Sequence, residues 1–262
     1  MDKRINFKDV TFIIPIRVDS EDRTTNLRLI IEYINEYFIT KILVLEADVK
    51  ERFFNTSIKK IFKYDSNPIY HRTKYLNEMI NQTNSPYIAV WDTDVLIESI
   101  QIQRAIEILR KKQATMVLPY DGRFFNVPKI LKTLYIKTMD LSILKENIEI
   151  MHLAYGRFSV GGAFLVDRKD YLAAGKENEN IIGWGPEDFE RVKRFEILGY
   201  KVINIEGPLY HLHHPRGKNS WFASKDLELN NKKEYLTICK QNKNQLAKSI
   251  QKWHWVKAPQ KN

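Results

Sequence analysis

Hydrophobic positions along this chain follow two periods in turn. Residues 9 to 16 (Asp-Val-Thr-Phe-Ile-Ile-Pro-Ile) form an apolar run of strand length that stops at Pro15, whose nitrogen cannot donate to a ladder. From Asn26 to Phe38 the apolar residues Leu27, Ile30, Ile31, Ile34, Tyr37 and Phe38 return at helical spacing, while Arg28, Glu32 and Asn35 fall on the other face. The same logic predicts strands at Lys41 to Leu45 and, more weakly, Lys59 to Tyr64, a helix from His71 to Gln82, and a strand from Tyr87 to Trp91. A helix from Ser99 to Lys112 and a strand from Thr115 to Leu118 complete the series. Such alternation implies an α/β fold: a Rossmann-like, mostly parallel sheet with flanking helices and its functional loops at the carboxyl ends of the strands.

Beyond Tyr120 the rhythm changes. Asp121 to Ile150 reads as a loop followed by helical segments with no clear strand, a lid or an acceptor-facing insertion. A strand resumes over Val160 to Val166, opened by Gly161-Gly162, a pair that lets the backbone pass close to something. Pro186 suits the first turn of a helix running to Leu198, and Gly199 suits its stop. Lys201 to Ile205 is another strand. From about Lys225 the chain becomes a lysine-rich helical tail, so one domain over 1–217 with a basic tail over 218–262 is expected.

Composition narrows the function classes. With 44% hydrophobic residues the chain supports a large core, and no apolar run approaches the roughly 20 residues needed to span a bilayer. The amino terminus leads into no signal-peptide core, so a cytoplasmic location is expected. Cys239 is the single cysteine, which excludes an internal disulfide and thiolate metal clusters. A formal charge of +10 implies an anionic partner: a phosphorylated substrate, an acidic membrane face or nucleic acid.

Three stretches carry chemistry. The strand ending at Trp91 runs into Asp92-Thr93-Asp94, and residues two apart in an extended segment point the same way. Two carboxylates at a strand end suit a divalent cation, although a lone Asp-x-Asp reads as a solvated turn. His211, His213 and His214 lie within four residues; an extended segment would pair His211 with His213, and a turn would pair His211 with His214. Oxygen and nitrogen ligands without sulfur point to manganese or magnesium before zinc. In Gly183-Trp184-Gly185-Pro186-Glu187-Asp188, glycines flank an indole that would lie flat against a sugar face, beside a carboxylate able to take a hydroxyl proton.

These motifs, together with Tyr70-His71-Arg72-Thr73-Lys74 and Asn77, Gly161-Gly162 and the segment from His211 to Arg216, occur in an order that resembles the inverting nucleotide-sugar glycosyltransferases of GT-A fold. The likeness is to the β-1,4-galactosyltransferase group and its bacterial relatives, and it covers about residues 9 to 217. It implies a donor half over about 1–120 and an acceptor half over about 121–217. It implies further that Pro15, Arg17 and Arg72 hold the nucleotide diphosphate with Asp92 beside them, and that Glu46 or Asp48 lies near the base and ribose. Asp94, His211 and His214 would hold Mn2+ or Mg2+; Gly162, Trp184 and Glu187 would meet sugar, and Asp188 would be the catalytic base. The chain departs from the animal enzymes in lacking their membrane anchor and disulfides, in offering His211 where they carry a methionine, in Pro186 in place of a glycine, and in a shorter acidic run.

The expectation is therefore a metal-dependent hexosyltransferase. It would take a UDP-type donor and a glycan or lipid-linked glycan acceptor, in surface polysaccharide or lipopolysaccharide synthesis. A nucleotidyltransferase acting on sugar phosphates would use the same carboxylates without the indole platform. A nucleic-acid-binding protein would explain the charge, but the lysines are scattered, so no nucleic acid is expected. Trp253 and Trp255 among Lys252, Lys257 and Lys261 read as an interfacial anchor to the inner membrane face.

Overall fold

The computed structural model describes residues 3–155 and 158–257. The amino-terminal half follows the sequence pattern. Strand β1 (Ile5–Ile16) leads into α1 (Glu21–Tyr37), whose start is set by Ser20: its side chain accepts from the Arg23 amide, and Glu21 and Asp22 occupy the turn where the helix dipole favours anions. There follow β2 (Phe38–Asp48), β3 (Lys59–Tyr64), α2 (Arg72–Ile80), β4 (Tyr87–Trp91), the two-residue β5 (Val95–Leu96), α3 (Ser99–Arg110) and β6 (Met116–Leu118). The carboxy-terminal half holds β7 (Phe124–Val127), α4 (Lys129–Thr138), α5 (Ser142–Glu146), β8 (His152–Leu153), β9 (Ala163–Asp167), α6 (Arg168–Ala173) and α7 (Glu187–Leu198). After it come β10 (Val202–Asn204), β11 (Leu209–Leu212), α8 (Lys225–Cys239), α9 (Lys243–Ile250) and α10 (His254–Lys257).

Seven strands form the central sheet in the order β10-β6-β9-β4-β1-β2-β3. All neighbours are parallel except at β9, which runs antiparallel to both β4 and β6. This arrangement places the carboxyl ends of β1, β2, β3 and β4 on one edge, and the reversed β9 brings its amino end, Gly161-Gly162, to that same edge. Every residue of β4 is buried, which explains its unbroken apolar sequence: a strand covered on both faces has no polar side to alternate with.

A second, four-stranded sheet in the order β5-β11-β7-β8 corrects the expectation that residues 121–150 hold no strand. β7 is four residues long, too short for either period to register, and its support is non-local: β11 pairs with it in parallel and β8 antiparallel.

The tail differs from the reading as an exposed anchor. α8 and α9 pack on α7, and Trp253 and Trp255 are 8% and 5% exposed in a small core with Ile238, Leu246 and Ile250. The Trp255 indole donates to the Gly175 carbonyl at 3.0 Å, and Trp253 lies on the face of Gly175 so closely that a Cβ there would meet it at 2.7 Å. Rings held in this way cannot settle among headgroups. Lys261 lies outside the described residues. No helix among the described residues is long and apolar enough to cross a membrane.

Candidate active site

The strand ends surround a cleft of about 480 Å³. Its floor is the turn after β4. Asp94 is 4% exposed, and its neighbour Val95 pairs with His211 of β11, so the second sheet delivers the imidazole beside the carboxylate. β11 ends at Leu212, whose amide is bound by the Asp94 carbonyl at 2.7 Å, and the chain then turns. That turn decides between the two histidine pairings. His214 reaches Asp94 Oδ2 at 3.2 Å and His211 reaches Oδ1 at 3.6 Å, whereas His213 is exposed and contributes its carbonyl to Asn26 and Lys132.

One ligand atom from each of Asp94, His211 and His214 lies within 4.8 Å of the others. His214 Nδ1 must donate, because its partner at 2.8 Å is the Pro215 carbonyl, which only accepts. His211 Nδ1 meets Asn126 Oδ1 at 3.1 Å in the same sense. Both Nε2 lone pairs are thereby left facing an anionic carboxylate, a set of donors that a divalent cation fits. Although burial opposes its protonation, the hydrogen bond to Asp94 raises the His214 imidazolium. Burial pushes the His211 imidazolium down to about 4 against the pull of Asp94, so it is neutral at pH 7. Although burial opposes ionisation of Asp94, His211, His214 and Arg23 hold its carboxyl well below the usual carboxylate range.

Asp92 does not join this cluster. Its carboxylate turns to Arg72, which donates to Oδ1 at 2.6 Å from the first turn of α2, and its amide is bound by the Gly162 carbonyl at 2.9 Å. Burial raises the Asp92 carboxyl in spite of Arg72. Arg72 keeps one buried nitrogen, Nη1, without a partner.

Pro15 and Arg17 line the cleft, but the Arg17 guanidinium is committed to the Ala47 and Asn67 carbonyls at 3.0 and 2.7 Å and to Asp65 at 2.5 Å. Arg23 lies 3.6 Å from Asp94 Oδ2. Neither Glu46 nor Asp48 lines the cleft. Glu46 is fully buried; its carboxylate accepts the Arg52 and Phe53 amides and pairs with Lys60 at 3.3 Å, so it fixes the loop after β2. Asp48 accepts from the Val49 amide at 2.7 Å.

Across the cleft stands the first turn of α7. Asp188 Oδ2 lies over Gly161, where a Cβ would come within 2.3 Å of it, and Oδ1 accepts from Arg191 at 2.9 Å. Arg191 is itself fully buried, with Nε and Nη2 on the two Glu177 oxygens at 2.6 and 2.8 Å. Glu187 is 9% exposed with Oε2 unpartnered, and burial, reinforced by the Asp188 charge, pushes its carboxyl up to about 8. Trp184 packs edge-on to Phe222 at 4.7 Å between ring centroids and near Trp221 at 6.3 Å. Its loop is held from α8: Asn231 Nδ2 donates to the Ile182 and Trp184 carbonyls at 2.9 and 3.3 Å, and Oδ1 accepts the Ile182 amide at 3.2 Å. Gly185 is required there because a Cβ would sit 2.8 Å from Asn231 Nδ2.

Sequence reasoning missed Arg23, Asp65, Asn126, Arg216 and Asn231. Arg216 lines the cleft and lies over Trp221. Only Arg23 carried a local signal, its position four residues after Asp19, with which it pairs at 3.0 Å. The others depend on contacts far apart in sequence.

No protein-family model matches the chain and no curated protein matches it. Among solved structures it is similar to Drosophila β-1,4-galactosyltransferase 7. One structure is an Asp-to-Asn mutant complexed with manganese, UDP-Gal and xylobiose (TM-score 0.52, 15% identity, 84% of this chain and 78% of that one). Another is the catalytic domain complexed with xylobiose (TM-score 0.50, 16% identity, the same coverage). A mycobacterial protein matches at TM-score 0.50 and 12% identity, over 89% of this chain and 75% of that one. At these identities the likeness is one of fold, and the fold is the GT-A arrangement of a mostly parallel α/β sheet.

Proposed function

We propose that this chain is a metal-dependent inverting glycosyltransferase that moves a hexose or N-acetylhexosamine from a nucleoside diphosphate, UDP by preference, onto a glycan hydroxyl. The observation that carries this reading is the meeting in one cleft of Asp94, His211 and His214 with Trp184, Glu187 and Asp188. The fold neighbour complexed with manganese, UDP-Gal and xylobiose pairs the same classes of ligand.

Single displacement at an anomeric carbon demands two things of a protein: neutralisation of the departing diphosphate and removal of a proton from the attacking hydroxyl. A divalent cation held by Asp94, His211 and His214 would supply positive charge to the diphosphate. Arg23 and the unpartnered Arg72 Nη1 face the same space. On the acceptor side, burial and the Asp188 charge push the Glu187 carboxyl up to about 8, so it can both donate to and accept from sugar hydroxyls, and we assign the proton to Asp188, whose Oδ2 lies over Gly161. Trp184 offers its indole as a sugar platform. We place the acceptor in surface polysaccharide or lipopolysaccharide synthesis.

The test is a panel of nucleotide sugars with manganese, read by release of nucleoside diphosphate. Asp94→Ala and His214→Ala should lower metal-dependent turnover by about 100-fold or more, while His213→Ala should leave it unchanged. Full activity in metal-stripped Asp94→Ala protein would sink the assignment. Release of pyrophosphate from a nucleoside triphosphate and a sugar phosphate would make it a nucleotidyltransferase instead.

A further inference from the structure

Nearly half of the large apolar side chains that are exposed among the described residues fall between Ile130 and Phe158. On α4 the buried side is Leu131, Lys132 and Tyr135, and the opposite side presents Ile130 (66% exposed), Thr133 and Leu134 (43%) as one stripe at i, i+3 and i+4. The helix carries three lysines and no carboxylate. Lys132 is spent on Asp22, while Lys129 and Lys137 flank the stripe in solvent.

The apolar face continues toward the cleft. β8 pairs with β7 through Phe125↔Leu153 and Asn126↔His152, and Leu153 is itself exposed. Past Leu153 the chain reaches Tyr155, which packs on Phe124, and Phe158, 69% exposed; both line the cleft. An apolar stripe bordered by lysines, on a protein of formal charge +10, complements a surface that is apolar beneath and anionic at its headgroups.

We propose that the α4 face bearing Ile130 and Leu134 is a docking surface for an anionic lipid bilayer, seated so that the cleft opens beside the headgroups. If the chain is a glycosyltransferase, the acceptor is a lipid-linked glycan presented at that surface; this clause alone rests on the functional reading above. Ile130 and Leu134 enter the interface while Lys129 and Lys137 meet lipid phosphates, and attachment is reversible because one short stripe supplies it.

The experiment is co-sedimentation of the full chain with vesicles of phosphatidylcholine alone or mixed equally with phosphatidylglycerol, at low and high salt, beside calorimetry of UDP with manganese. Binding to the anionic vesicles, weakened about tenfold or more in Ile130→Ser/Leu134→Ser and in Lys129→Glu/Lys137→Glu and screened by salt, is the expected result. Unchanged UDP binding in both variants shows that they are folded. Absence of vesicle binding at low salt, or binding that both variants retain, overturns the proposal. So does a concentration-dependent dimer abolished by Ile130→Ser/Leu134→Ser, which would assign the face to a second copy. Vesicle binding without UDP binding would refute the functional reading and leave the docking surface standing.

Discussion

Glu187 and Asp188 are adjacent in sequence yet chemically unlike. Glu187 carries a carboxyl raised to about 8 from an ordinary 4.5 by burial and by the neighbouring charge, while Asp188 spends one oxygen on Arg191 and keeps the other over Gly161. Because the folded-state value of Glu187 lies above the unfolded one, the folded protein holds a proton that the unfolded chain has released between pH 4.5 and 8, and stability falls as pH rises across that window. Glu187→Gln removes the penalty. Thermal melts of the metal-free protein should show this variant gaining on the wild type from pH 5 to pH 8, by on the order of 1 kcal/mol or more at the upper end; parallel curves would show that Glu187 ionises normally. In transfer kinetics Asp188→Asn should lower kcat by about 10² to 10⁴ with UDP affinity retained, whereas Glu187→Gln should chiefly raise the acceptor KM. A near-wild-type kcat in Asp188→Asn would move the base elsewhere.

At the scale of elements, the sequence was most informative where local pattern and tertiary role agree. β4 and its terminal carboxylates were legible because a strand buried on both faces writes itself as an apolar run. β7 was not, since four residues paired with partners far along the chain leave no periodic trace, and with β7 went Asn126, the residue that orients His211. Glu46 shows the opposite error: a carboxylate at a strand end resembles a ligand, and only its burial against the Arg52 and Phe53 amides reveals a loop clamp. Asn231 on α8 makes three hydrogen bonds to the Trp184 loop from 47 to 49 residues away, which no spacing argument reaches. Asn231→Ala should therefore raise the acceptor KM about tenfold while UDP and manganese bind as before, with a stability loss of roughly 1–3 kcal/mol from the unpaired backbone groups. Unaltered acceptor kinetics would show that the loop holds without its brace.

For the whole molecule, the tail's composition misled because lysines and tryptophans in sequence say nothing of which way they face. Trp253 and Trp255 close a small core against α7 and Gly175. Trp253→Ala should accordingly cost about 3–5 kcal/mol, seen as a lower Tm, and should leave vesicle binding by the folded fraction untouched; a variant that melts like the wild type but no longer binds vesicles would restore the anchor reading. Part of the basic excess lines the cleft, as Arg23, Arg72 and Arg216, and part borders the exposed stripe of α4.

The position of Asn126 bears on how such a protein could diversify. The segment between β6 and β9 is an excursion from the central sheet. Yet β7 lies inside it, and β7 supplies both the neighbour strand of β11 and the oxygen that sets the His211 tautomer. A transplanted segment that kept only the outer helices would arrive without the strand and the side chain that hold His211 in place, so this excursion and the His211 position are built as one unit.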